Sequence, residues 1–164
     1  MMWVEKGFNL NDYFVICAVI VSWIIYFLMP KILPKQITVL VFLYTLTAAA
    51  IFDNSFGAAP FDFYDIMDGP AYTGMDVVLY FFYPPFTYLF LYFYERLHIQ
   101  NRYLVIYILG CTLFAFLIEW ISFKFGVFHY KNGYNNFYSV GVYLLVQSIL
   151  VLFYRLIKMK RIEK

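Results

Sequence analysis

The chain has 164 residues, of which 64% are hydrophobic and only 13% are charged, and its formal net charge is +2. Water-soluble domains usually carry about 25% charged residues, so this chain has too little polar surface to cover a globule in water. A soluble domain is therefore excluded. The composition instead predicts a protein of the lipid bilayer, where a spanning helix needs about 20 mostly apolar residues.

Five apolar runs are long enough to cross a membrane, and short segments with Pro, Gly or charged residues separate them. The N-terminal segment lacks the basic region and the small-residue cleavage site of a signal peptide, so we expect the first run to be retained. The sequence thus predicts an all-α integral membrane bundle of about five transmembrane helices, in a single polytopic domain covering 1–164. The predicted spans are 13–29, 37–52, 77–94, 103–123 and 137–157.

The distribution of basic residues predicts the orientation of the bundle. Short loops rich in Lys and Arg stay in the cytoplasm. With the N-terminus outside and the C-terminus in the cytoplasm, nine of the twelve basic residues fall on the cytoplasmic side. They are Lys31, Lys35, Arg96, Arg102, Arg155, Lys158, Lys160, Arg161 and Lys164.

An acidic segment, Phe52–Asp76, separates the second and third runs and faces the extracytoplasmic side in this orientation. It holds five of the ten acidic residues of the chain and no Lys, Arg or His. Asp62, Asp65 and Asp68 are spaced three residues apart, so on a helical turn they would share a face. Carboxylates bind hard cations such as Ca²⁺ or Mg²⁺, although this spacing is not that of an EF-hand loop. Three interpretations stay open: a solvated loop that sets topology, a site for a cation or cationic ligand, and a catalytic acid site.

The third run contains Pro84 and Pro85 near its middle. Two consecutive prolines remove two backbone donors, so the carbonyls of Tyr80 and Phe81 lose their helical partners. Tyr80, Pro84 and Tyr88 recur every four residues, which places hydroxyls on one face beside the break. The sequence therefore predicts a kink here, with Tyr80, Pro84, Pro85 and Tyr88 as hinge or pocket residues. Plain packing and interfacial anchoring are the alternative.

Glu119 is predicted to lie about 5 Å below the outer boundary of the fourth span, from the rise of a helix. A carboxylate at that depth is costly unless it is paired or hydrated, which makes it a candidate for a functional site. Its partners could come from the acidic segment or from Lys124, His129 and Lys131 on the following linker. A structural ion pair with that linker is the alternative. In the fifth span, Gln147 is expected to form a hydrogen bond between helices.

Common catalytic motifs are absent from the sequence: there is no G-x-S-x-G, H-E-x-x-H, C-x-x-C or P-loop pattern. If the protein catalyses a reaction, carboxylates and tyrosines would act as its acid–base groups. The candidate ligand-binding residues form one outward-facing polar cluster. They are Asp53, Asp62, Asp65, Asp68, Asp76, Glu119, His129 and Tyr130. The only cofactor that this cluster suggests is a divalent cation.

Three stretches carry a resemblance to a known family: FDFYDIMD at 61–68, YFFYPPFTYLFLYFYERL at 80–97, and EWISFKFGVFHYKNGYNNFYSVGVYLLVQS at 119–148. Over about its last two-thirds, the chain resembles an uncharacterised family of small multi-span membrane proteins from spore-forming Gram-positive bacteria. That family commonly has Trp where this chain has Tyr134, so an indole has no counterpart here. The resemblance implies a multi-pass protein of the bacterial cell (cytoplasmic) membrane, and it implies no activity.

The stretch from Glu119 to Tyr130 is also similar to part of the carotenoid-pathway membrane cyclases and hydratases. Those enzymes set an intramembrane Glu ahead of a G-x-x-x-Y turn, which here begins at Gly126. This similarity favours an enzyme as one alternative function.

Three functions are therefore expected, in order of preference. The first is a multi-pass membrane protein whose extracytoplasmic acidic cluster binds a cation, a ligand or a partner. The second is an intramembrane enzyme that acts on a lipid or isoprenoid substrate with carboxylate acid–base residues. The third is a structural or accessory subunit of a membrane complex. Besides the bilayer, we expect a membrane-protein partner or a second copy of the chain as a partner, and no nucleic acid.

Overall fold

A computed structural model describes residues 7–69 and 73–162 of the chain. Lys6 and Lys164, which enter the charge distribution above, lie outside these residues, as do the side chains of Lys160 and Arg161. The described residues form six α-helices and two short β-strands. In chain order they are α1 Leu10–Leu28, α2 Lys35–Phe56, β1 Tyr64–Ile66, α3 Gly74–Tyr80, α4 Tyr83–Arg96, α5 Asn101–Lys124, β2 Phe128–Tyr130 and α6 Asn136–Ile162.

Five helical stretches of the described residues are long and apolar enough to cross a membrane, which confirms the predicted number. They are Leu10–Leu28, Lys35–Phe56, Gly74–Arg96, Asn101–Lys124 and Asn136–Met159. One difference from the predicted spans changes the position of an acidic residue: α2 continues to Phe56 rather than ending at Phe52. Asp53 therefore belongs to the last turn of a helix and not to a loop.

The predicted kink lies between α3 and α4, just before the two prolines. Pro84 and Pro85 occupy the first turn of α4, where the backbone N–H groups of a helix have no helical partner in any case. The carbonyl of Phe81, which Pro85 leaves without a helical donor, accepts a hydrogen bond of 2.9 Å from the indole Nε1–H of Trp23 on α1. One of the two carbonyls that the prolines leave without a helical donor thus has a donor from another helix, as an apolar solvent requires.

A two-stranded antiparallel sheet is the main departure from the all-α prediction. β1, in the loop between α2 and α3, pairs with β2, in the loop between α5 and α6. Tyr64 lies opposite Tyr130, and Asp65 lies opposite His129. Since side chains alternate along a strand, the two tyrosines share one face of the sheet and Asp65 and His129 share the other.

Gly126 directs the chain from α5 into β2. Its φ of +76° is in the left-handed region, and its N–H donates to the carbonyl of Phe123 at 3.1 Å. The N–H of Val127 reaches back to Ser122 at 3.0 Å, which completes a Schellman motif at the end of the helix.

A second reversal follows β2 directly. Asn132 and Gly133 both have positive φ, and the N–H of Tyr134 bonds to the carbonyl of Lys131 at 2.9 Å. Two left-handed residues in succession are typical of tight type I′ turns. This turn brings Tyr134 back towards the start of α6.

One end of the bundle gathers most of the acidic side chains, and we call it the acidic end. The two loops that carry the strands lie there together with the start of α1, because Asn9 and Asn11 bond to Asp68 across the bundle. The acidic end comprises Asp12, Asp53, Asp62, Asp65, Asp68, Asp76 and Glu119.

Candidate functional site

A cavity of about 230 Å³ opens between α2, α4, α5 and α6 at the acidic end, and we call it the acidic cavity. Its lining is mostly aromatic and small side chains, and strands β1 and β2 contribute Tyr64 and Tyr130. Asp53 from α2 and Glu119 from α5 both line it. None of the described lining residues is Lys, Arg or His. Two carboxylates from different helices therefore share one space without a basic side chain.

Glu119 is buried, with 6% of its surface exposed, and three hydroxyl groups bind its carboxylate. Tyr130 and Ser139 donate to Oε1 at 2.6 and 2.7 Å, and Tyr143 donates to Oε2 at 2.6 Å. Ser139 in turn lies 3.0 Å from the hydroxyl of Tyr134. Hydroxyl donors favour the charged form of a carboxylate and offset part of the cost of its burial.

The alternative interpretation of Glu119, a structural ion pair with the linker, is wrong for the described residues. No Lys, Arg or His forms a salt bridge with Glu119 there, and Lys131 pairs with other carboxylates. Tyr130 is the linker residue that reaches Glu119, because it faces the bundle from β2.

Asp53 is held by two tyrosines from neighbouring elements. The hydroxyl of Tyr64 donates to Oδ1 at 2.9 Å, and the side chain of Tyr80 also hydrogen-bonds to the carboxylate. The extra turn of α2 places Asp53 in the acidic cavity, and the break after α3 leaves Tyr80 beside it. Tyr80 was predicted as a pocket residue, and its contact with Asp53 brings it next to the cavity.

The loop tyrosines of this site remain protonated at neutral pH. Burial raises the pKa of the Tyr64 hydroxyl above its ordinary value of 10.0, and the nearby Asp53 carboxylate raises that pKa further. Burial also raises the pKa of Tyr130, and the hydrogen bond to Glu119 adds to this effect. Both hydroxyls are therefore available as donors to the carboxylates.

Asp62, Asp65 and His129 do not line the acidic cavity. The Nζ atom of Lys131 lies 2.9 Å from Asp62 and 2.7 Å from Asp65, so one lysine joins both carboxylates. His129 is exposed on the face of the sheet that carries Asp65. The helical face predicted for Asp62, Asp65 and Asp68 is wrong, because this segment forms a turn and a strand, in which side chains repeat every two residues.

Asp68 and Asp76 hold the ends of helices. Asp68 accepts hydrogen bonds from the side-chain amides of Asn9 and Asn11, at 3.1–3.3 Å. Asp76 accepts from the backbone N–H of Thr73 at 2.5 Å and from its hydroxyl at 2.8 Å, in a capping box at the start of α3. Both aspartates belong to the acidic end, and neither contributes to the cavity lining.

The acidic cavity does lie beside the predicted kink, but through different residues of α4. Tyr83, Phe86, Thr87 and Phe90 line it, because the helix restarts at Tyr83 and this i, i+3, i+4, i+7 series forms one face. Pro84 and Pro85 are buried outside the lining.

Tyr88, the remaining predicted pocket residue, points to the opposite end of the bundle. Its hydroxyl donates to the carbonyl of Pro30 and accepts from the N–H of Ile32, both at 3.2 Å. Tyr88 therefore anchors the loop after α1 and takes no part in the acidic cavity.

The predicted interhelical role of Gln147 is confirmed. Its Oε1 atom accepts a hydrogen bond of 3.1 Å from Thr112 on α5. Gln147, Ser139 and Tyr143 follow one another at i, i+4 spacing on α6 and all line the cavity. Their spacing is visible in the sequence, but it does not tell a packed stripe from a cavity wall.

Among the described residues, no group of three or more His, Cys, Asp or Glu side chains is arranged to hold a metal ion. The acidic cavity offers only two carboxylates, whereas Ca²⁺ takes six to eight oxygen ligands. The described donor set thus does not fit a Ca²⁺ ion held by protein side chains.

Comparisons with protein-family models, with curated proteins and with solved structures gave no match to this chain. The class of protein is defined by its own features: five membrane-length apolar helices that fit a multi-pass membrane protein, and one aromatic cavity lined by the buried Glu119 and the half-buried Asp53.

Proposed function

We propose that this chain is a multi-pass protein of the cell membrane that binds a small ligand in the acidic cavity through Asp53 and Glu119. The single observation that carries this proposal is the convergence of these two carboxylates, from α2 and α5, on one space. The binding site predicted from the sequence comprised the whole acidic cluster, and the proposed site keeps two of its acidic members.

The burial of Glu119 and the half-burial of Asp53 favour a functional role over a structural one. A charged side chain at the centre of a spanning helix costs about 2.5–3.5 kcal/mol to insert, and less near the ends. Hydroxyl donors offset part of this cost. Two apolar side chains in place of the carboxylates could fill the cavity and would avoid the cost altogether. Buried ionisable groups that line a cleft are concentrated at functional sites for this reason.

The size of the acidic cavity limits the ligand. An engineered cavity of about 150 Å³ holds benzene, and pockets for drug-sized ligands begin at about 300 Å³. A cavity of about 230 Å³ lies between these values and suits a ligand of about ten non-hydrogen atoms.

We propose that the acidic end faces away from the cytoplasm. Among the described residues, the opposite end of the bundle carries most of the basic side chains and one acidic side chain, Glu95, which pairs with Lys158 at 2.8 Å. The basic side chains there are Lys31, Lys35, Arg96, Arg102, Arg155 and Lys158. Under the positive-inside rule this end is cytoplasmic, so the ligand would enter from outside the cell. Membership of the spore-former family stays a prediction, and it adds no activity.

Thermal unfolding in detergent tests the proposal, with small compounds of cationic, neutral and anionic character added in turn. Ala48→Leu narrows the acidic cavity, whereas Ala50→Leu adds the same side chain to α2 outside the cavity lining. At least one compound should raise the melting temperature of the wild type and of Ala50→Leu, but not that of Ala48→Leu. The proposal is wrong if no compound separates the two variants.

A second function, acid–base catalysis on a lipid or isoprenoid substrate, is favoured by one observation. The cavity extends from Glu119 among apolar side chains as far as Leu150, which such a substrate requires. Mass spectrometry of membrane-lipid and isoprenoid extracts, incubated with the wild type or with Glu119→Gln, tests this alternative. A product formed by the wild type alone would establish catalysis, and unchanged extracts would reject it. For an accessory-subunit role, no particular contact in the described structure gives support.

A further inference from the structure

The polarity of the acidic cavity changes along its length. Asp53 and Glu119 lie at the acidic end, whereas Phe90 and Leu150 line the part nearer the middle of the bundle. Along α6, the stretch from Ser139 to Leu150 covers about 16 Å at the helical rise of 1.5 Å per residue. A ligand that fills this space has one polar end and one apolar end.

The hydroxyl of Tyr44 and the carbonyl oxygen of Gln147, both deeper in the cavity, already have partners. The hydroxyl of Tyr44 donates to the carbonyl of Val146 at 2.7 Å, and Gln147 is bonded to Thr112 at 3.1 Å. This inner part therefore offers mainly apolar contacts to a ligand, and a polar group of the ligand would be recognised at the carboxylate end.

Charge at the carboxylate end selects a cation. Asp53 and Glu119 are bound by neutral hydroxyls, and the described cavity lining brings no Lys, Arg or His to balance them. An anionic group would be repelled by both carboxylates, whereas a cation is attracted by both in a medium that screens charge poorly.

The remaining acceptor positions and the surrounding rings distinguish an ammonium ion from a metal ion. An ionised carboxylate accepts about four hydrogen bonds, and the Glu119 carboxylate has three donors. The faces of aromatic rings attract an organic cation that lies within about 6 Å. Tyr64, Tyr83, Phe128 and Tyr130 line this part of the cavity, where the described residues offer a metal ion two carboxylates and no group of three or more acidic, His or Cys ligands.

We infer that the ligand of the acidic cavity is an amphiphilic organic amine in its protonated form. Its ammonium group lies between Asp53 and Glu119, and its apolar tail extends along α6 towards Leu150. This inference rests on the proposed function, since it names the class of ligand for the same cavity.

Three compounds of matched size and different charge test the inference: 2-phenylethylamine, 2-phenylethanol and phenylacetate. Dissociation constants are measured for the purified wild type in detergent at neutral pH, with NaCl and MgCl₂ as separate additions. Because charge pairing and cation–π contact act together at this end of the cavity, the amine should bind at least about tenfold more tightly than the alcohol. Phenylacetate should not bind.

Two variants locate the recognition, and a third controls for surface charge. Glu119→Gln and Asp53→Asn should each weaken binding of the amine by about tenfold and change binding of the alcohol by less than about twofold. Asp62→Asn removes a carboxylate from the same end outside the cavity and should leave both constants unchanged.

The possible outcomes separate the inference from the proposed function. If the alcohol or phenylacetate binds as tightly as the amine, if Mg²⁺ alone occupies the site, or if none of the three compounds binds, the ammonium assignment is wrong. In each of these cases the comparison of Ala48→Leu with Ala50→Leu still decides whether the cavity binds any ligand. Should Glu119→Gln fail to fold, the comparison of the three compounds on the wild type decides the assignment alone.

Discussion

The hydroxyl of Tyr143 offers the sharpest test of how the protein holds a buried carboxylate. It is the only described donor to Oε2 of Glu119, at 2.6 Å, whereas Oε1 has two donors. Tyr143→Phe removes that donor and little volume, so Oε2 would lose its one described partner. A hydrogen bond to a charged group contributes about 1.5–3 kcal/mol to stability, and interhelical bonds in membranes average about 0.6 kcal/mol. We expect Tyr143→Phe to lower the free energy of unfolding by about 1.5–3 kcal/mol, the range for a bond to a charged group, because the acceptor is a buried carboxylate.

Reversible unfolding in mixed detergent micelles measures this loss as a free energy. Tyr138→Phe is the matched control on α6, because Tyr138 is 61% exposed. Its substitution should change the free energy of unfolding by less than about 0.5 kcal/mol. In a Glu119→Gln background the cost of Tyr143→Phe should fall to about 1 kcal/mol, as for a neutral hydrogen bond. Equal stability of Tyr143→Phe and Tyr138→Phe would refute the view that hydroxyl donors support the carboxylate.

Three further predictions concern the scaffold around the site. Trp23→Phe should destabilise the protein by about 1–3 kcal/mol, because it leaves the carbonyl at the break between α3 and α4 without a donor, and the exposed Trp120→Phe should cost less. Gly126→Ala should lower the free energy of unfolding by about 1–2 kcal/mol, because the φ of +76° at this position disfavours a Cβ atom. Gly110→Ala, within α5, should instead raise the free energy of unfolding by about 0.5–1 kcal/mol. Lys131 donates hydrogen bonds to two aspartates, and these bonds raise its pKa above 10.5. The stabilisation that the charged lysine provides is therefore present below pH 10.5, and it is lost as the pH rises through the raised pKa.

The same unfolding assay decides each of these predictions. Equal losses for the two tryptophan variants would show that the carbonyl finds another donor. Equal effects of the two glycine variants would show that the left-handed turn after α5 is not needed. For Lys131, the difference in melting temperature between the wild type and Lys131→Gln should be constant around neutral pH and should shrink in strong alkali, where the lysine loses its charge, and in acid, where its aspartate partners lose theirs. A difference that is already lost near neutral pH would contradict the assigned ion pair.

The helices could be predicted from the sequence because their signals are local. Five apolar runs of membrane length gave the number of spanning helices, and Pro84-Pro85 gave the position of the break. The position of Glu119 within the fourth apolar run predicted that its carboxylate is buried, as it is in the structure. Each of these features depends only on residues within one turn or one span.

The composition of the site could not be predicted in the same way, because it depends on pairing between distant loops. β1 and β2 are joined through residues more than 60 positions apart, and their register decides that Tyr64 and Tyr130 face the bundle while Asp65 faces away. The i, i+3 spacing of the aspartates indicated a helical face, but tertiary pairing overrode this local pattern. Asp53 lies in the cavity, apart from the other aspartates, because α2 continues for one turn beyond its predicted end at Phe52.

The most direct test of the central claim is the dissociation constant of 2-phenylethylamine for the wild type, Ala48→Leu and Ala50→Leu in detergent. If Asp53 and Glu119 share a ligand-binding cavity, the wild type and Ala50→Leu should bind with the same constant. Ala48→Leu, which narrows the cavity without touching either carboxylate, should bind at least about tenfold more weakly. Equal binding by all three proteins would place the amine elsewhere and contradict the account.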